Sequence, residues 1–178
     1  MASINSYPQF MKLVNDRYSC RDFNPEALVE REAVMAVIDA ARLAPSACNK
    51  QPWTFIAVTD SDIRARILAK SRPAFMKAPV IIVACGQHHD AWHRPADNKD
   101  HTDVDVSIAV EHLCIAASAL GLATCWVCSF DVQATVEALG LPDDVEPIAL
   151  IPLGYPASMD IPEKTRKSLD QILRWEKY

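Results

Sequence analysis

The chain has 178 residues, half of them hydrophobic, and a net charge of -5. At roughly 150 residues per domain, this length predicts one domain over residues 1–178. The acidic balance argues against nucleic acid and anionic membranes as partners, and no apolar run approaches the ~20 residues needed to cross a bilayer. The segment 1–6 has neither a basic nor an apolar leader region, so a cytoplasmic location is expected.

The first half of the chain alternates predicted helices with predicted strands. Helices are predicted over 8–15, 31–43 and 61–70, with Ser61 as the N-cap of the third, and strands are predicted over 53–58 and 80–85. The second strand is a continuous apolar run, which is typical of a strand buried on both faces. The polar segment 87–102 is rich in His and Asp and is predicted to be a long loop or excursion.

The second half begins with a helix predicted over 103–120 and ended by Gly121. Its later residues are apolar on almost every side, which indicates burial in the core or against a second subunit. A strand over 124–127, a helix over 132–139 between Asp131 and Gly140, and a strand over 148–153 follow, and Leu169 lies in a final short helix or strand. This mixture predicts an α+β or mixed α/β fold, a sheet with helices on its faces.

Glycine and cysteine usage exclude several kinds of site. None of the four glycines forms a G-x-G-x-x-G or P-loop pattern, so a Rossmann dinucleotide site and a P-loop are unsupported. The six cysteines lie mostly in apolar runs, which indicates reduced and buried thiols. Cys125-x-x-Cys128 resembles a redox dithiol or half of a zinc site, but without a second ligand pair the motif favours core packing.

A metal hypothesis comes from the region around the polar segment, and the residues that could bind zinc are Cys85, His88, His89, Asp90, His93 and His101. His89 and His93 would share one face of a helix, but Pro95 stops any helix there. A solvated loop is therefore the favoured interpretation, and no metal ligand is predicted. A zinc-dependent hydrolase that uses the segment His88–His101 stays open as an alternative function.

The loop 44–53 is dense in side chains that both donate and accept hydrogen bonds. It carries Ser46, Asn49 and Gln51 between two prolines that stiffen the backbone. Such a loop suits a flat heteroaromatic ligand better than it suits a plain connection.

Two basic segments can supply the phosphate end of the same ligand. Arg17-x-Ser19-x-Arg21 alternates polar side chains, which point to one side of an extended segment and suit a phosphate. Near the other end of the chain, Lys164-x-Arg166-Lys167 can close on that phosphate. Each cluster alone is typical of a solvated surface. Together with the loop they predict a phosphorylated ring cofactor.

Four blocks, in order along nearly the whole chain, resemble the nitroreductase family of FMN-dependent oxidoreductases. The blocks are Arg17-x-Ser19-x-Arg21; Ala44-Pro45-Ser46-x-x-Asn49-x-Gln51-Pro52-Trp53; Ala116-Ala117-x-Ala119-Leu120-Gly121-Leu122-Ala123-Thr124-Cys125-Trp126; and Pro152-Leu153-Gly154-Tyr155-Pro156 with its basic tail. One block would be a weak signal, whereas four in family order are a strong one.

The resemblance implies a central mixed sheet flanked by helices, in an intertwined homodimer with FMN at the interface. It also implies a ping-pong cycle in which NADH or NADPH reduces the flavin and a nitroaromatic, a quinone or a related small electrophile reoxidises it. A flavin-binding homodimer without enzymatic activity is the other alternative.

The resemblance further implies which residues bind the cofactor. Contacts to the phosphate and ribityl group are expected from Arg17, Tyr18, Ser19, Arg21, Arg166 and Lys167. The isoalloxazine is expected to meet the backbone near Cys128 and Ser129, together with Pro45, Ser46 and Asn49 of the partner subunit. Ser71 stands about where some members have an Asn that reaches the flavin. Because the flavin carries the chemistry, no dedicated catalytic acid or base side chain is expected.

Overall fold

A computed structural model describes residues 6–178, so the expectation about a leader region falls largely outside the described residues. Within this range the chain contains six α-helices, two short 3-10 helices (Ala47–Asn49 and Pro73–Lys77) and six strands. The helices are α1 (Ser6–Asp16), α2 (Arg31–Arg42), α3 (Ser61–Leu68), α4 (Thr102–Ala119), α5 (Val132–Leu139) and α6 (Leu169–Ile172). The strands are β1 (Trp53–Val58), β2 (Val80–Gln87), β3 (His93–Arg94), β4 (Lys99–Asp100), β5 (Ala123–Thr124) and β6 (Val145–Gly154).

The apolar run of β2 forms the centre of the fold. Its side chains alternate between two hydrophobic clusters, with Ile82 in the cluster that contains α2 and α4 and Ile81 in the cluster that contains α3. Both residues are fully buried, which confirms the prediction of a strand covered on both faces. Helices therefore cover the two faces of one sheet, and the fold is α+β as predicted.

The strand order in the main sheet is β1-β2-β6-β5, and every named pair is antiparallel. A parallel bridge joins Ser19 to Thr124 of β5 and gives the sheet its mixed character. A bulge between Ala84 and Cys85 lies where β2 passes Pro147, since proline cannot donate to the ladder.

The predicted strand over 124–127 is shorter in the structure. β5 covers Ala123–Thr124, and Val127 returns to the sheet through one bridge to Leu150. Between them the amide of Cys125 donates to the Pro152 carbonyl at 3.4 Å. Because Pro152 has no N–H to donate in return, the regular ladder is interrupted there.

The start of α3 corrects one prediction about helix capping. The N-cap is Asp60, whose carboxylate accepts from the backbone N–H groups of Asp62 and Ile63, and Ser61 is the first helical residue. Asp131 caps α5 as predicted, and Gly140 and Gly121 follow their helices in the left-handed conformation that favours glycine.

The segment predicted as a loop over 87–102 contains a small hairpin. β3 and β4 pair through His93 with Asp100 and Arg94 with Lys99. The Trp92 and His101 rings, which flank this hairpin, meet edge to face with their centroids 4.9 Å apart. The sequence pattern did not reveal the hairpin because each of its strands has two polar residues and no alternation.

The described part of the chain, residues 6–178, contains no helix that is long and apolar enough to cross a bilayer. After β6 the chain runs as a largely irregular tail that includes the single turn of α6. This tail leaves large apolar side chains in solvent, and Leu169 and Trp175 are 74% and 76% exposed.

Candidate functional site

Positive charge gathers where α1 ends and the tail returns. Lys164 Nζ donates to the Val14 carbonyl at 2.7 Å, which brings the tail beside the residues that lead into Arg17. Burial lowers the pKa of Lys164, and the charges of Arg17 and Arg166 lower it further. Arg17 and Arg166 therefore both lie within electrostatic reach of Lys164, and we call these three residues the basic cluster. Within residues 6–178, none of the three forms an ion pair with a carboxylate.

The arginine motif is held on the edge of the sheet. Ser19 bridges to Thr124, and the amide of Cys20 donates to the Thr124 carbonyl at 2.9 Å. Arg17 and Tyr18 line a small crevice against Cys114 of α4. Burial, followed by the neighbouring Cys20 thiol, raises the pKa of Tyr18 to about 12, so the phenol stays neutral.

A cavity of about 310 Å³ lies next to the arginine motif. It brings together four of the predicted site residues, which are Arg21, Ser71, Cys128 and Ser129. The Ser71 hydroxyl oxygen is buried and has no hydrogen-bond partner within residues 6–178. We call this space the Ser71 cavity.

The Ser71 cavity has an excess of positive charge. Lys70 is paired with Asp131 at 2.5 Å, and the pKa of Asp131 is lowered, first by this contact. Arg21 and Arg72, which also line the cavity, have no carboxylate partner in the described chain. Sequence reasoning missed Lys70 and Arg72. The signal available was their position on either side of Ser71.

The cysteine pair at the cavity divides into two environments. Cys125 is buried, and burial raises the pKa of its thiol, although nearby arginines oppose that rise. Cys128 is exposed and lines the Ser71 cavity, so the prediction that both cysteines pack in the core is wrong for Cys128. All six thiols are free, and Cys48 is the other exposed one.

The loop 44–53 is a strained and hydrogen-bonded turn. Three of its non-glycine residues have positive φ, namely Cys48 at 50°, Asn49 at 54° and Gln51 at 52°. The Ser46 hydroxyl oxygen accepts a hydrogen bond from the backbone N–H of Gln51 at 2.9 Å. Pro45 and Asn49 are exposed and Ser46 is half-buried, so the loop presents polar groups at the surface.

One protomer does not bring the loop and the arginine motif together. The loop enters β1 at Trp53, which pairs with Gly86, whereas Thr124 pairs with Leu153, at the opposite end of the sheet. The loop touches Asp105 near the start of α4, and Arg17 lines its crevice with Ser118 near the end. These two helix positions are about 20 Å apart at 1.5 Å per residue.

Histidines of the segment 87–102 form ion pairs with nearby carboxylates. His88 contacts Asp100 at 2.6 Å and Glu146 at 2.7 Å, and His89 contacts Asp144 at 3.1 Å. No group of three or more His, Cys, Asp or Glu side chains within residues 6–178 is arranged to hold a metal ion. The geometry therefore gives no support to the zinc hydrolase alternative.

The described side chains offer two groups of contacts that fit a phosphorylated ring cofactor, one for its phosphate and one for its ring. The basic cluster offers unpaired cations for a phosphate, and the orphaned Ser71 hydroxyl and two unpaired guanidiniums offer donors for a polar ring edge. The exposed Arg166 and Lys167 lie in the tail, and the Arg166 guanidinium donates to the neighbouring Thr165 carbonyl.

Comparison with known proteins agrees with this geometry. The model of the nitroreductase family matches residues 14–75 and 68–155. The crystal structure of a nitroreductase family protein from Clostridium difficile 630 superposes with a TM-score of 0.83 and 37% identity, over 94% of this chain and 98% of that one.

Two curated relatives have more specific names. Iodotyrosine deiodinase 1 of Mus musculus is 30% identical over 93% of this chain and 68% of its own length. The oxygen-insensitive NADPH nitroreductase of Helicobacter acinonychis is 25% identical over 92% of this chain and 95% of its own.

Proposed function

This chain belongs to the nitroreductase family, and from that premise we propose that it is a single-domain, FMN-dependent oxidoreductase. It uses NADH or NADPH to reduce nitroaromatics, quinones or related small electrophiles by a ping-pong mechanism. The observation that carries the proposal is the pairing of the basic cluster with the Ser71 cavity, both next to the 17–21 motif. Together they offer a cationic end and a donor-rich end for one elongated, anionic ligand.

The phosphate end is assigned to the basic cluster. Arg17 and Arg166 supply guanidiniums that match phosphate oxygens in a bidentate way, and Lys167 adds a point charge from the tail. Ser19, fixed by its bridge to Thr124, would donate its hydroxyl to the phosphate or the ribityl group, beside Tyr18. The cations form no ion pair with a carboxylate within residues 6–178, and Asp16 and Glu111 act on Lys164 only from a distance, so a phosphate would add the direct counter-charge.

The ring end is assigned to the Ser71 cavity. FMN, when bound, supplies the hydride and electron transfer between the nicotinamide and the electrophile. Arg21 and Arg72 hold positive charge at the cavity, where they would stabilise negative charge developing on a bound ring. Ser71 and the backbone near Cys128 and Ser129 would orient the ring. No side chain is assigned as a catalytic acid or base.

A homodimer is part of the proposal because one protomer separates the two groups of site residues. Pro45, Ser46 and Asn49 lie at one end of the sheet, and the 17–21 motif lies at the other. A site that uses both groups needs them from two protomers. The exposed apolar side chains of the tail support an intertwined dimer, since burying them against a partner would remove apolar surface from water.

The deiodinase relative favours a second class of electron acceptor within the same function. A halogenated phenol is also reduced by electron transfer, so reductive dehalogenation is the second candidate reaction. The substrate that is reduced faster at equal concentration distinguishes the two classes.

An absorbance spectrum of the purified protein, followed by anaerobic mixing with NADH or NADPH, tests the proposal. We expect a yellow protein whose visible flavin band bleaches with a nicotinamide and returns when a nitroaromatic, quinone or halogenated phenol is added. A colourless protein that does not bind added FMN would contradict the proposal. Bound FMN that neither nicotinamide reduces would instead favour a flavin-binding homodimer without turnover.

A further inference from the structure

The loop 44–53 adopts a conformation that its own sequence does not favour. Cys48, Asn49 and Gln51 all have positive φ, a region that non-glycine residues rarely occupy. Such conformations persist only where surrounding contacts determine them, and they concentrate at binding sites. One contact inside the loop helps to hold this conformation: the backbone N–H of Gln51 donates to the Ser46 hydroxyl oxygen at 2.9 Å.

A side chain distant in sequence anchors the loop. The Ala47 amide donates to Asp105 Oδ1 at 3.0 Å, across 58 residues of sequence. Asp105 lies in the first turn of α4, where the helix macrodipole favours a negative charge. The bond therefore ties the loop to the longest helix that packs on the sheet.

Asp105 is an unusual residue for the position that it occupies. It is only 2% exposed, and it shares its helix face with buried apolar residues such as Val106 and Ala109. Its second oxygen, Oδ2, is buried without a hydrogen-bond partner within residues 6–178. Burying a carboxylate with one oxygen left without a partner lowers the stability of the fold. Packing alone does not account for Asp105.

We propose that Asp105 is a positioning residue that holds the loop in its ligand-ready conformation before the cofactor arrives. The inference rests on the proposed function, in which Ser46 and Asn49 of one protomer complete the cofactor site of the other. With the loop already ordered, binding does not have to supply the entropy and strain of forming it, so the cofactor binds more tightly.

Three variants test the anchor. Asp105→Ala removes the acceptor, Asp105→Asn keeps an acceptor at Oδ1 without the charge, and Asp103→Ala removes an exposed carboxylate from the same helix turn as the control. Hydrogen exchange of the 44–53 backbone is measured by mass spectrometry on apoprotein, and FMN affinity is measured by quenching of flavin fluorescence.

We expect Asp105→Ala to speed exchange in the loop and to weaken FMN binding, each by about tenfold or more, the size expected for a hydrogen bond to a charged group. Asp105→Asn, which keeps a neutral acceptor, should recover part of both losses, and Asp103→Ala should resemble the wild type. Rescue by Asn separates loop positioning from a general need for charge in α4.

Two outcomes overturn the anchor: a folded Asp105→Ala with unchanged exchange and FMN affinity, or equal losses in Asp103→Ala. If Asp105→Ala does not fold, Asp105→Asn decides, because its loop should stay protected and an unprotected loop in a folded protein contradicts the proposal. Wild-type protein that binds no FMN would refute the proposed function, whereas exchange in the apoprotein would still test the anchor.

Discussion

At the scale of single residues, the most informative feature is the concentration of unpaired positive charge around Arg17. Lys164 and Arg166 approach Arg17 from the far end of the chain. Burial lowers the pKa of Lys164, and the charges of Arg17 and Arg166 lower it further. Asp16 and Glu111 oppose this shift from nearby, but neither forms an ion pair with the cluster in residues 6–178, so the cations still raise one another's energy. An anionic ligand removes this repulsion.

Replacing Arg17 tests this assignment directly. We expect Arg17→Ala to weaken FMN binding by about tenfold or more, because a charge-assisted contact to phosphate is lost. The FMN affinity of Arg17→Lys should lie between those of the wild type and Arg17→Ala, since lysine keeps the charge but not the bidentate geometry. Titration of apoprotein with FMN measures both. Arg66→Ala, which removes an exposed arginine of α3, is the control, and an equal loss there would contradict a specific role for Arg17.

At the scale of elements, short polar contacts determine where helices begin and how loops are held. Asp60 rather than Ser61 caps α3, and Asp131 both caps α5 and pairs with Lys70 at the Ser71 cavity. His88 holds the hairpin to the start of β6 through Asp100 and Glu146. Of these contacts, only the pair of Lys70 with Asp131 lies at the Ser71 cavity.

The cap of α3 supports a test with a matched pair of variants. Asp60→Ala should lower the free energy of unfolding by about 1 kcal/mol, because the N–H groups of Asp62 and Ile63 lose their acceptor. Ser61→Ala should have little effect, since Ser61 is already helical. Urea unfolding measures both. A larger effect at Ser61 would restore the prediction made from the sequence.

The contacts of His88 with Asp100 and Glu146, which we call the His88 clamp, predict that the stability of the fold depends on pH. Its hydrogen bond to Asp100 raises the pKa of His88, and Glu146 adds to the rise. Burial opposes the shift at Asp100, but bonds from Thr102 and His88 still lower the pKa of that carboxyl to about 2. The charged pair therefore stabilises the fold fully below the unfolded His pKa of about 6.5, and this contribution is lost as pH rises through the folded value of His88.

Comparing His88→Gln with the wild type over pH checks that sign. The loss of unfolding free energy should be largest near about pH 5.5 and smallest near about pH 9, where the wild-type imidazole is neutral. His112→Gln, at an exposed position of α4, is the control and should show no such trend. A constant difference at all pH values would mean that the clamp does not depend on charge.

At the scale of the whole molecule, the sheet separates the two groups of proposed site residues. Asn49 and Arg17 lie beyond opposite ends of the strands, and α4 spans the distance between them. The proposed dimer would join the loop of one subunit to the arginine motif of the other. Each dimer would then hold two composite sites related by a two-fold axis.

Mixed dimers of Arg17→Ala and Asn49→Ala test the composite site. If the two residues come from different subunits, a heterodimer holds one intact site and one doubly defective site, so random assembly restores tight binding to about a quarter of all sites. Co-expression with two affinity tags isolates the heterodimer, and FMN titration counts its tight sites. The control is a heterodimer of Arg17→Ala with the double variant Arg17→Ala/Asn49→Ala, in which no site has both residues intact. A heterodimer without a tight site would place both residues in one subunit.

Much of the fold and part of the site could be predicted from local pattern. The 3.6-residue period marks α2, and the unbroken apolar run marks β2, because each element buries the side chains that its geometry aligns. The hairpin at 93–100 and the early end of β5 could not be read in this way. Both depend on partners in space, His88 with Asp100 and Cys125 with Pro152, that no local pattern encodes.

The sequence by itself determined the class of fold, the boundaries of its main elements within a few residues, and the blocks that carry the family likeness. Only the tertiary structure decided that Ser71, Arg21 and Cys128 share one cavity, that the loop lies at the other end of the sheet, and that Asp105 anchors it. The reason is physical. Periodicity reports which side chains face a core, whereas a site depends on which distant segments the core brings together.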